Sequence, residues 1–253
     1  MLEEVAVRFP PNTDSKRRSL LKFLAGGAVV IGTGLWNLLP ACARQAIASR
    51  FRTNTVEKKN FRFDPARGEI VWKDGRREPY RLVLDGLVET PASLTYAQLR
   101  ALPQLQRTID FHCVEGWSVE NVPWGGVAYR DLFAKVKISP QAKYAVFHAL
   151  GQTESLGGLT HYVESLPLRD LMNPAMNTLL ALDMDGAPLT DERGAPARAV
   201  SPFDLGYKGC KFVTRVEFTA EPTLGWWTRA NPIYGVYAPV EKSRLRTPDP
   251  RGG

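Results

Sequence analysis

The cysteines of this chain are the residues most able to do chemistry. There are three, and Cys113 lies in IDFHCVEGWSVENVPWGGV, which ends in a Pro-Trp-Gly-Gly turn. A free cysteine is most often a small buried hydrophobe, whereas a thiolate is a nucleophile or a soft metal ligand. Cys210 lies in a second segment, RGAPARAVSPFDLGYKGCKF, which is rich in Arg, Lys and Gly. The two segments are therefore the first candidates for a functional site.

Three roles for these cysteines remain open at this level. Outside the cytoplasm, Cys113 and Cys210 would form a disulfide by default. A zinc site would combine Cys113 with His112, His148 and His161, but their spacing matches no common zinc pattern, and neighbouring residues on a strand point to opposite faces. A cysteine nucleophile would need His148 or His161 as its base.

The second segment has the composition of an anion-binding site. Arg198, Lys208 and Lys211 surround turns at Gly206 and Gly209. Glycines let backbone N–H groups turn toward an anion, while arginine and lysine supply charge for a phosphate. The segment predicts contacts to an anionic ligand.

The first residues predict an export signal. SKRRSLLK carries the pair Arg17-Arg18 and precedes the apolar run FLAGGAVVIGTGLWNLLP, a pattern that looks like a twin-arginine signal. Cleavage is predicted after Ala41-Cys42-Ala43, so residues 1–43 form the signal and residues 44–60 a polar linker. An uncleaved signal or lipidation of Cys42 would tether the protein to the membrane. We expect a periplasmic protein exported by the twin-arginine machinery.

Composition predicts one α+β domain over residues 61–242. Hydrophobic residues make up 44% and charged residues 23% of the 253 residues, as in ordinary globular proteins. The net charge of +7 is scattered and lacks a basic run with interleaved aromatics, so we predict no nucleic-acid partner. KFVTRVEFT alternates as a strand does, SLTYAQLRALP predicts a helix capped by Ser93, and the Pro- and Arg-rich residues 243–253 predict a disordered tail.

The sequence resembles the sulfite oxidase superfamily of molybdopterin enzymes, in particular its bacterial branch of periplasmic protein-methionine-sulfoxide reductases. Four segments carry the resemblance in the family's order: DGLVETPASLTYAQLRALP, HCVEGWSVENVPWGGV, GAPARAVSPFDLGYKGCKFVTRVEF and PTLGWWTRANPIYGVYAPV. The resemblance implies a sulfite-oxidase-type molybdopterin-binding fold of mixed strands and short helices. It also implies molybdenum-molybdopterin as the cofactor, which suits export of a folded protein.

The resemblance also implies roles for individual residues. Cys113 would bind molybdenum beside the dithiolene of one molybdopterin, shielded from solvent by Trp117 and Trp124. The implied or hinted pterin contacts are Asn60, Arg62, Arg198, Lys208, Gly209, Cys210 and Lys211. The chain departs from the family pattern at Ala149, which replaces a polar residue, and at Arg193, which replaces Asn.

The expected activity is oxygen-atom transfer, with reduction of an S-oxide of the methionine-sulfoxide type. Tyr234 and His148 are candidate catalytic residues, and His161 and Tyr207 are further candidate proton donors. Electrons would come from a partner, in the resembled reductases a membrane haem protein. The alternatives are a sulfite-oxidising molybdoenzyme and a cofactor-free exported binding protein with a Cys113–Cys210 disulfide.

The oligomeric state follows from the length of the C-terminal segment. The superfamily's sulfite oxidases add an immunoglobulin-like dimerisation domain of ~100 residues. Only about 35 residues follow the strand that ends at Thr219. We therefore expect a monomer.

Overall fold

The computed structural model describes residues 56–58, 60–155, 158–231 and 234–252. All of them belong to the unit Thr53–Gly253. The predicted twin-arginine signal, Cys42 and most of the predicted linker lie outside the described residues. Within the described ranges, no helix is both long enough and apolar enough to cross a membrane.

Short strands dominate the described residues, and the helices are short. The strands are β1 (Phe61–Asp64), β2 (Glu69–Trp72), β3 (Arg77–Pro79), β4 (Arg81–Gly86), β5 (Ala92–Thr95), β6 (Gln104–His112), β7 (Ser118–Ala128), β8 (Tyr144–Ala149), β9 (Val163–Pro167), β10 (Leu179–Met184), β11 (Ala187–Pro188), β12 (Arg198–Val200) and β13 (Val213–Thr219). The α-helices are α1 (Tyr96–Arg100), α2 (Tyr129–Phe133), α3 (Leu168–Met172) and α4 (Trp226–Ala230). Single 3₁₀ turns cover Pro174–Met176, Asp191–Arg193, Gly206–Lys208 and Lys242–Arg244. The prediction of mixed strands and short helices is confirmed.

The strands form three sheets. A three-stranded sheet has the order β1-β2-β3. The site sheet, our name for β6, β7, β10, β11 and β12, has the order β11-β10-β7-β6, with β12 pairing with β10. The central sheet has the order β5-β4-β13-β8-β9. Only the β4–β13 pairing is parallel among the pairings within these sheets.

The hydrophobic core forms where apolar side chains of these strands turn inward. In β13, Val216 and Phe218 are buried in keeping with the predicted alternation, and Val213 is buried out of phase with them, beyond a register shift against β8. Gly86 lies at the end of β4 with φ +83°, and a Cβ there would come within 2.4 Å of the Phe218 carbonyl oxygen. Glycine is therefore needed where the chain leaves β4 beside β13.

The helix predicted after Ser93 begins two residues later than expected. Ser93 lies in β5 and pairs with Val83 of β4. The cap is Thr95, whose hydroxyl accepts a hydrogen bond from the Gln98 N–H (3.2 Å), while the Gln98 side chain accepts one from the Thr95 N–H (2.8 Å). This reciprocal capping box satisfies two backbone donors at the start of the helix. Ser93 cannot cap the helix in the same way, because it is paired with the neighbouring strand.

The C-terminal segment, predicted to be disordered, is instead bound to the fold over its described residues. Arg246 makes a two-pronged contact with Asp110 at the end of β6, with both N···O distances at 2.6 Å. Arg251 donates to Asp204 (2.8 Å) and to the Phe203 carbonyl (2.6 Å). The composition of the tail did not predict this, because the acidic partners are distant in sequence.

Candidate functional site

Cys113 lies in the tight turn that joins β6 to β7. Its N–H donates to the Trp117 carbonyl (2.9 Å), and its own carbonyl accepts from the Gly116 N–H (3.2 Å). Gly116 has φ +92°, a conformation that glycine adopts without strain. The thiol is half-buried and free, and burial raises its pKa. The turn thus presents a sulfur atom at the edge of the site sheet.

Arg244 holds this turn from the far end of the chain. One of its terminal nitrogens donates to the carbonyls of Cys113 (2.9 Å) and Trp117 (2.8 Å) and lies 3.2 Å from the Ser118 hydroxyl. The Ser118 hydroxyl also lies 2.8 Å from Nδ1 of His112. Arg244 was not predicted from sequence, because it lies in the segment that we expected to be disordered.

The aromatic residues around Cys113 differ in exposure. Trp124 is buried, with 3% of its surface exposed, whereas Trp117 is 40% exposed. Trp124 therefore has the burial that a shielding role requires and Trp117 does not, and shielding of the sulfur by Trp124 stays a prediction. Trp117 packs on Phe111 with ring centroids 5.8 Å apart.

A cavity lies beside the Cys113 turn. It is lined by residues of β6, β7 and β12 and by the loop after β12, among them Phe111, His112, Trp124, Arg198, Gly206 and Gly209. The 3₁₀ turn at Gly206 lies directly on Phe111, because a Cβ at Gly206 would come within 2.2 Å of the Phe111 ring. The fold thus brings the cysteine segment and the basic segment to the same cavity, as the sequence suggested.

Arg198 is the cation of this cavity. It is buried, its guanidinium lies 5.0 Å from the centre of the Trp124 ring, and Nη1 donates to the Arg193 carbonyl (3.2 Å). Its buried Nε has no hydrogen-bond partner among the described residues. Burial, and then the charge of Arg193, lower the pKa of Arg198 to about 10, so it stays charged at neutral pH. An anion in the cavity would supply the missing acceptor.

Lys208 has a partner inside the protein. Its ammonium lies 2.5 Å from a Glu164 carboxylate oxygen and donates to the Val236 carbonyl (2.9 Å). Both Lys208 and Glu164 are buried, and neither lines the cavity. The Lys208 ammonium therefore pairs with a carboxylate inside the protein and does not face the cavity.

Cys210 and Lys211 are also held by the protein. The Cys210 thiol is fully buried and lies 3.8 Å from the Phe147 carbonyl. Lys211 donates to the Glu192 carbonyl (3.0 Å). Cys113 and Cys210 are both free, so the alternative disulfide between them is wrong for this structure. Of the basic segment, Arg198 and Gly209 are the predicted contacts that line the cavity.

The four candidate proton donors form two pairs, Tyr207 with Tyr234 and His148 with His161. Tyr234 packs against Tyr207 and Trp227, with ring centroids 5.3 Å and 5.2 Å apart. His148 lies on β8 between Phe147 and Ala149, which face the core, so its ring points to the opposite face of the central sheet. None of these four candidates lines the cavity, and their catalytic roles stay predictions.

His148 belongs to a separate polar cluster. Its Nδ1 lies 3.0 Å from Nε2 of His161, and its Nε2 lies 3.0 Å from a Glu217 oxygen. Burial lowers the pKa of both histidines, with Arg215 adding to the effect. Within the described ranges, no group of three or more His, Cys, Asp or Glu side chains could hold a metal ion. The zinc alternative, which joined these histidines to Cys113, therefore gains no support.

Arg62 lies in the three-stranded sheet, and Asn60 immediately precedes its first strand. Arg62 is exposed on β1, where it pairs with Val71 of β2, and Asn60 is exposed just before that strand. The Asn60 carbonyl accepts from the Lys73 N–H (2.8 Å). Neither residue lines the cavity, so their predicted pterin contacts stay predictions.

Comparison with known proteins gives a consistent result. The family described as the oxidoreductase molybdopterin binding domain matches residues 69–227. The protein-methionine-sulfoxide reductase catalytic subunit MsrP of Gluconobacter oxydans (strain 621H) is 37% identical over 172 residues, which are 64% of this chain and 54% of that protein. The chain thus spans about half the length of this curated relative.

Among solved structures, the sulfane dehydrogenase SoxCD from Paracoccus pantotrophus is similar with a TM-score of 0.49 and 24% identity, over 57% of this chain and 39% of that chain. The family match, by contrast, includes the Cys113 turn, the cavity and the basic segment. The chain belongs to the oxidoreductase molybdopterin-binding domain family.

Proposed function

We propose that this protein is an exported molybdopterin-dependent oxidoreductase that reduces an S-oxide of the methionine-sulfoxide type. The observation that carries the proposal is a half-buried free thiol, Cys113, next in sequence to His112, which lines a cavity where the buried Nε of Arg198 has no acceptor among the described residues. The similarity to a methionine-sulfoxide reductase catalytic subunit supports the choice of substrate.

The residues present fit the two ends of a molybdopterin cofactor. A soft thiolate suits a heavy transition metal, and Cys113 is the free cysteine that the turn presents beside the cavity. The phosphate end needs cationic donors, and Arg198 has a buried N–H without an acceptor among the described residues. Gly209 leaves space there, because a Cβ would lie 3.3 Å from the Arg198 Nη2 atom.

When bound, the cofactor supplies a molybdenum centre that exchanges an oxygen atom with a sulfur compound and two electrons with a redox partner. The chain's own residues hold Cys113 in place for this chemistry. The Arg244 hydrogen bonds to the Cys113 and Trp117 carbonyls fix the turn. Trp124 and Phe111 form an apolar wall that limits access of water to the cavity.

The surface beside Cys113 suits an apolar sulfoxide. Val114 is 39% exposed and Trp117 is 40% exposed, and both belong to the turn that carries the thiol. A methionine-like side chain has an apolar stem that such residues can contact, while its S–O group reaches the centre of the site. We place the substrate on this surface.

Export and electron supply complete the proposal. The pair Arg17-Arg18 ahead of an apolar run supports twin-arginine export to the periplasm. Reduction of an S-oxide consumes two electrons and two protons, so a redox partner is required. By the family resemblance this partner is a membrane haem protein.

A turnover assay tests the proposed reaction. We expect the full chain, purified with its cofactor, to reduce methionine sulfoxide with a reduced viologen dye as electron donor. Cys113→Ser should abolish turnover because the hydroxyl is a poor ligand for the metal, while Arg67→Gln, at an exposed ion pair with Asp64, should match the wild type. Sulfite oxidation without sulfoxide reduction would contradict the proposed direction, and full activity of Cys113→Ser would contradict the role of the thiol.

A further inference from the structure

Residues 241–252, which we call the strap, join the two walls of the cavity. One wall is the end of β6, which contributes Asp110 and Phe111 to the lining, and the other is the loop after β12, which contributes Asp204 and Gly206. Gly206 lies directly on the Phe111 ring, so the two walls touch. The free volume of the cavity is about 20 Å³, enough for a single water, whereas pockets for small molecules measure about 300–1,000 Å³. The walls must therefore move apart before a molecule of molybdopterin size can enter.

Two arginines attach the strap to the first wall. Arg246 makes its two-pronged contact with Asp110, and one of its nitrogens also donates to the Asn121 side chain (2.8 Å). Arg244 donates to the Cys113 carbonyl (2.9 Å). The strap is thus bound both to a carboxylate that lines the cavity and to the turn that carries the thiol.

The second wall holds both ends of the strap. Immediately before the strap, the Val240 N–H donates to the Phe203 carbonyl (3.0 Å). Near its other end, the Arg251 guanidinium donates to the same carbonyl (2.6 Å) and to Asp204 (2.8 Å), and it lies 3.6 Å from an Asp170 oxygen. The strap therefore leaves the second wall, crosses to the first and returns.

Polar contacts, and not apolar packing, attach the strap. No side chain of residues 241–252 is buried. Ion pairs that face solvent contribute little to stability, and segments with few buried apolar contacts open at a small cost in free energy. The strap can therefore detach from the walls without disruption of the hydrophobic core.

We propose that the strap is the closure of the cavity. It detaches to let the two walls separate around an entering cofactor, and it holds the walls together once it is attached again. Residues 241–252 do not line the cavity, so the strap arginines are positioning residues that act through Asp110, Asp204 and the Cys113 turn. The identity of the entering molecule as molybdopterin rests on the proposed function.

Two rates in the full chain, produced without cofactor, report detachment and opening. Trypsin cleaves after Arg244 only when that side chain has left the Cys113 carbonyl, so this cleavage measures the detached population of the strap. Alkylation of Cys113 by a maleimide at fixed pH, followed by mass spectrometry of the peptide that contains it, measures access to the first wall. Both rates are compared between the wild type and variants of the strap.

Arg251→Gln is the decisive variant, because Arg251 contacts only the second wall and the strap itself. An effect of this substitution on cleavage after Arg244 and on alkylation of Cys113 must pass through the strap. We expect both rates to rise by about tenfold, the effect of losing a hydrogen bond between charged groups. The exposed contact removed in Arg246→Gln should raise them by about threefold, and Arg67→Gln should leave them unchanged.

A conservative variant separates positioning from misfolding. Arg251→Lys keeps the charge but lacks the planar fork, so its rates should lie between those of the wild type and Arg251→Gln. Urea unfolding of each chain shows whether the fold is retained. Arg246→Gln and Arg251→Lys provide the same comparison if Arg251→Gln does not fold.

Pterin retention by the cofactor-loaded chain is the second measurement. Arg251→Gln should lose pterin about tenfold faster than the wild type during dialysis, and Arg251→Lys should lose it at an intermediate rate. In the loaded wild type, cleavage after Arg244 should be slower than in the cofactor-free chain, because a molecule bound between the walls stabilises the closed state.

The result that would overturn the inference is alkylation of Cys113 that is equal in Arg251→Gln, Arg246→Gln and Arg67→Gln. This holds even where cleavage after Arg244 is faster, because the strap would then detach without opening the cavity.

The two proposals fail in different ways. A wild-type chain that never contains pterin, but whose Cys113 alkylation depends on Arg251, would support the closure and reject the proposed function. A chain that contains pterin and molybdenum, with alkylation and retention unaffected by Arg251→Gln and Arg251→Lys, would support the proposed function and overturn this inference.

Discussion

Lys208 and Arg198 come from the same basic segment, yet the fold treats their charges in opposite ways. Lys208 lies 2.5 Å from the Glu164 carboxylate, and both side chains are buried. Arg198 is equally buried, but its Nε has no acceptor among the described residues. The difference separates a cation that stabilises the fold from a cation that is available to a ligand. Sequence alone gave both residues the same role.

The histidine cluster on the central sheet shows a third way to bury a basic group. His148 lies between Glu217 and His161, and burial lowers its pKa. A histidine can lose its proton at neutral pH, whereas an arginine cannot. A buried arginine Nε without an acceptor among the described residues is therefore stronger evidence for an anionic ligand than a buried histidine is.

The largest effect is expected from Lys208→Met. The substitution leaves the Glu164 carboxylate buried without its counter-ion, and loss of one partner of a buried pair destabilises a protein by about 3–5 kcal/mol. Urea unfolding of the cofactor-free chain measures this change. The double variant Glu164→Gln with Lys208→Met should recover part of the loss, because no carboxylate remains.

The pH dependence provides a check on the same pair. Burial raises the pKa of Glu164 to about 7 from 4.5. A carboxyl with a raised pKa in the folded state binds its proton more tightly there, so its contribution to stability is lost as pH rises from about 4.5 through about 7. The Lys208 charge opposes this rise in pKa, so without Lys208 the loss should extend to higher pH. A Lys208→Met chain as stable as the wild type at alkaline pH would contradict the comparison.

A much smaller effect is expected from Arg198→Met in the cofactor-free chain. Methionine keeps an apolar stem against Trp124, and replacing the charged guanidinium by an apolar group removes the cost of burying an Nε without an acceptor among the described residues. The lost hydrogen bond to the Arg193 carbonyl opposes this gain, so the unfolding free energy should change by no more than about 1 kcal/mol. Destabilisation as large as that of Lys208→Met would show that Arg198 is also a structural cation.

The smallest effect is expected from the histidine cluster. The pKa values of His148 and His161 lie below 6.5 in the folded chain, mainly through burial, with Arg215 and Glu217 as the charged neighbours of His148. The unfolded chain thus binds more protons, and stability is lost as pH falls below about 6.5. In His161→Gln, the free energy of unfolding should fall less between about pH 8 and pH 5 than in the wild type, as measured by urea unfolding at each pH. If the unfolding free energy changed equally with pH in the wild type and in His161→Gln, burial of these histidines as neutral imidazoles would be contradicted.

The sequence predicted those features that depend on residues close together in the chain. The alternation of β13 and the turn around Cys113 follow from residues close in sequence, so both were predictable. The encounter of the two motifs at one cavity was also implied by the family resemblance. Local signals were less exact at element boundaries, as the capping of α1 by Thr95 instead of Ser93 shows.

Contacts between distant residues could not be predicted. Arg244 reaches the Cys113 turn, Arg246 reaches Asp110, and Lys208 reaches Glu164 across long stretches of chain. The partner of a charged side chain depends on which strands meet in the fold, and composition does not specify this. That the Arg198 Nε has no acceptor among the described residues could not be predicted for the same reason.

The most direct test of the central claim is the content of molybdenum and pterin in the full chain, purified after export. Metal analysis and pterin fluorescence should give equimolar molybdenum and pterin in the wild type. In Cys113→Ser we expect pterin to remain, because the proposed phosphate contact of Arg198 is unchanged, while the metal loses its thiolate ligand and changes its electron paramagnetic resonance spectrum. A correctly folded chain with neither pterin nor molybdenum would contradict the account.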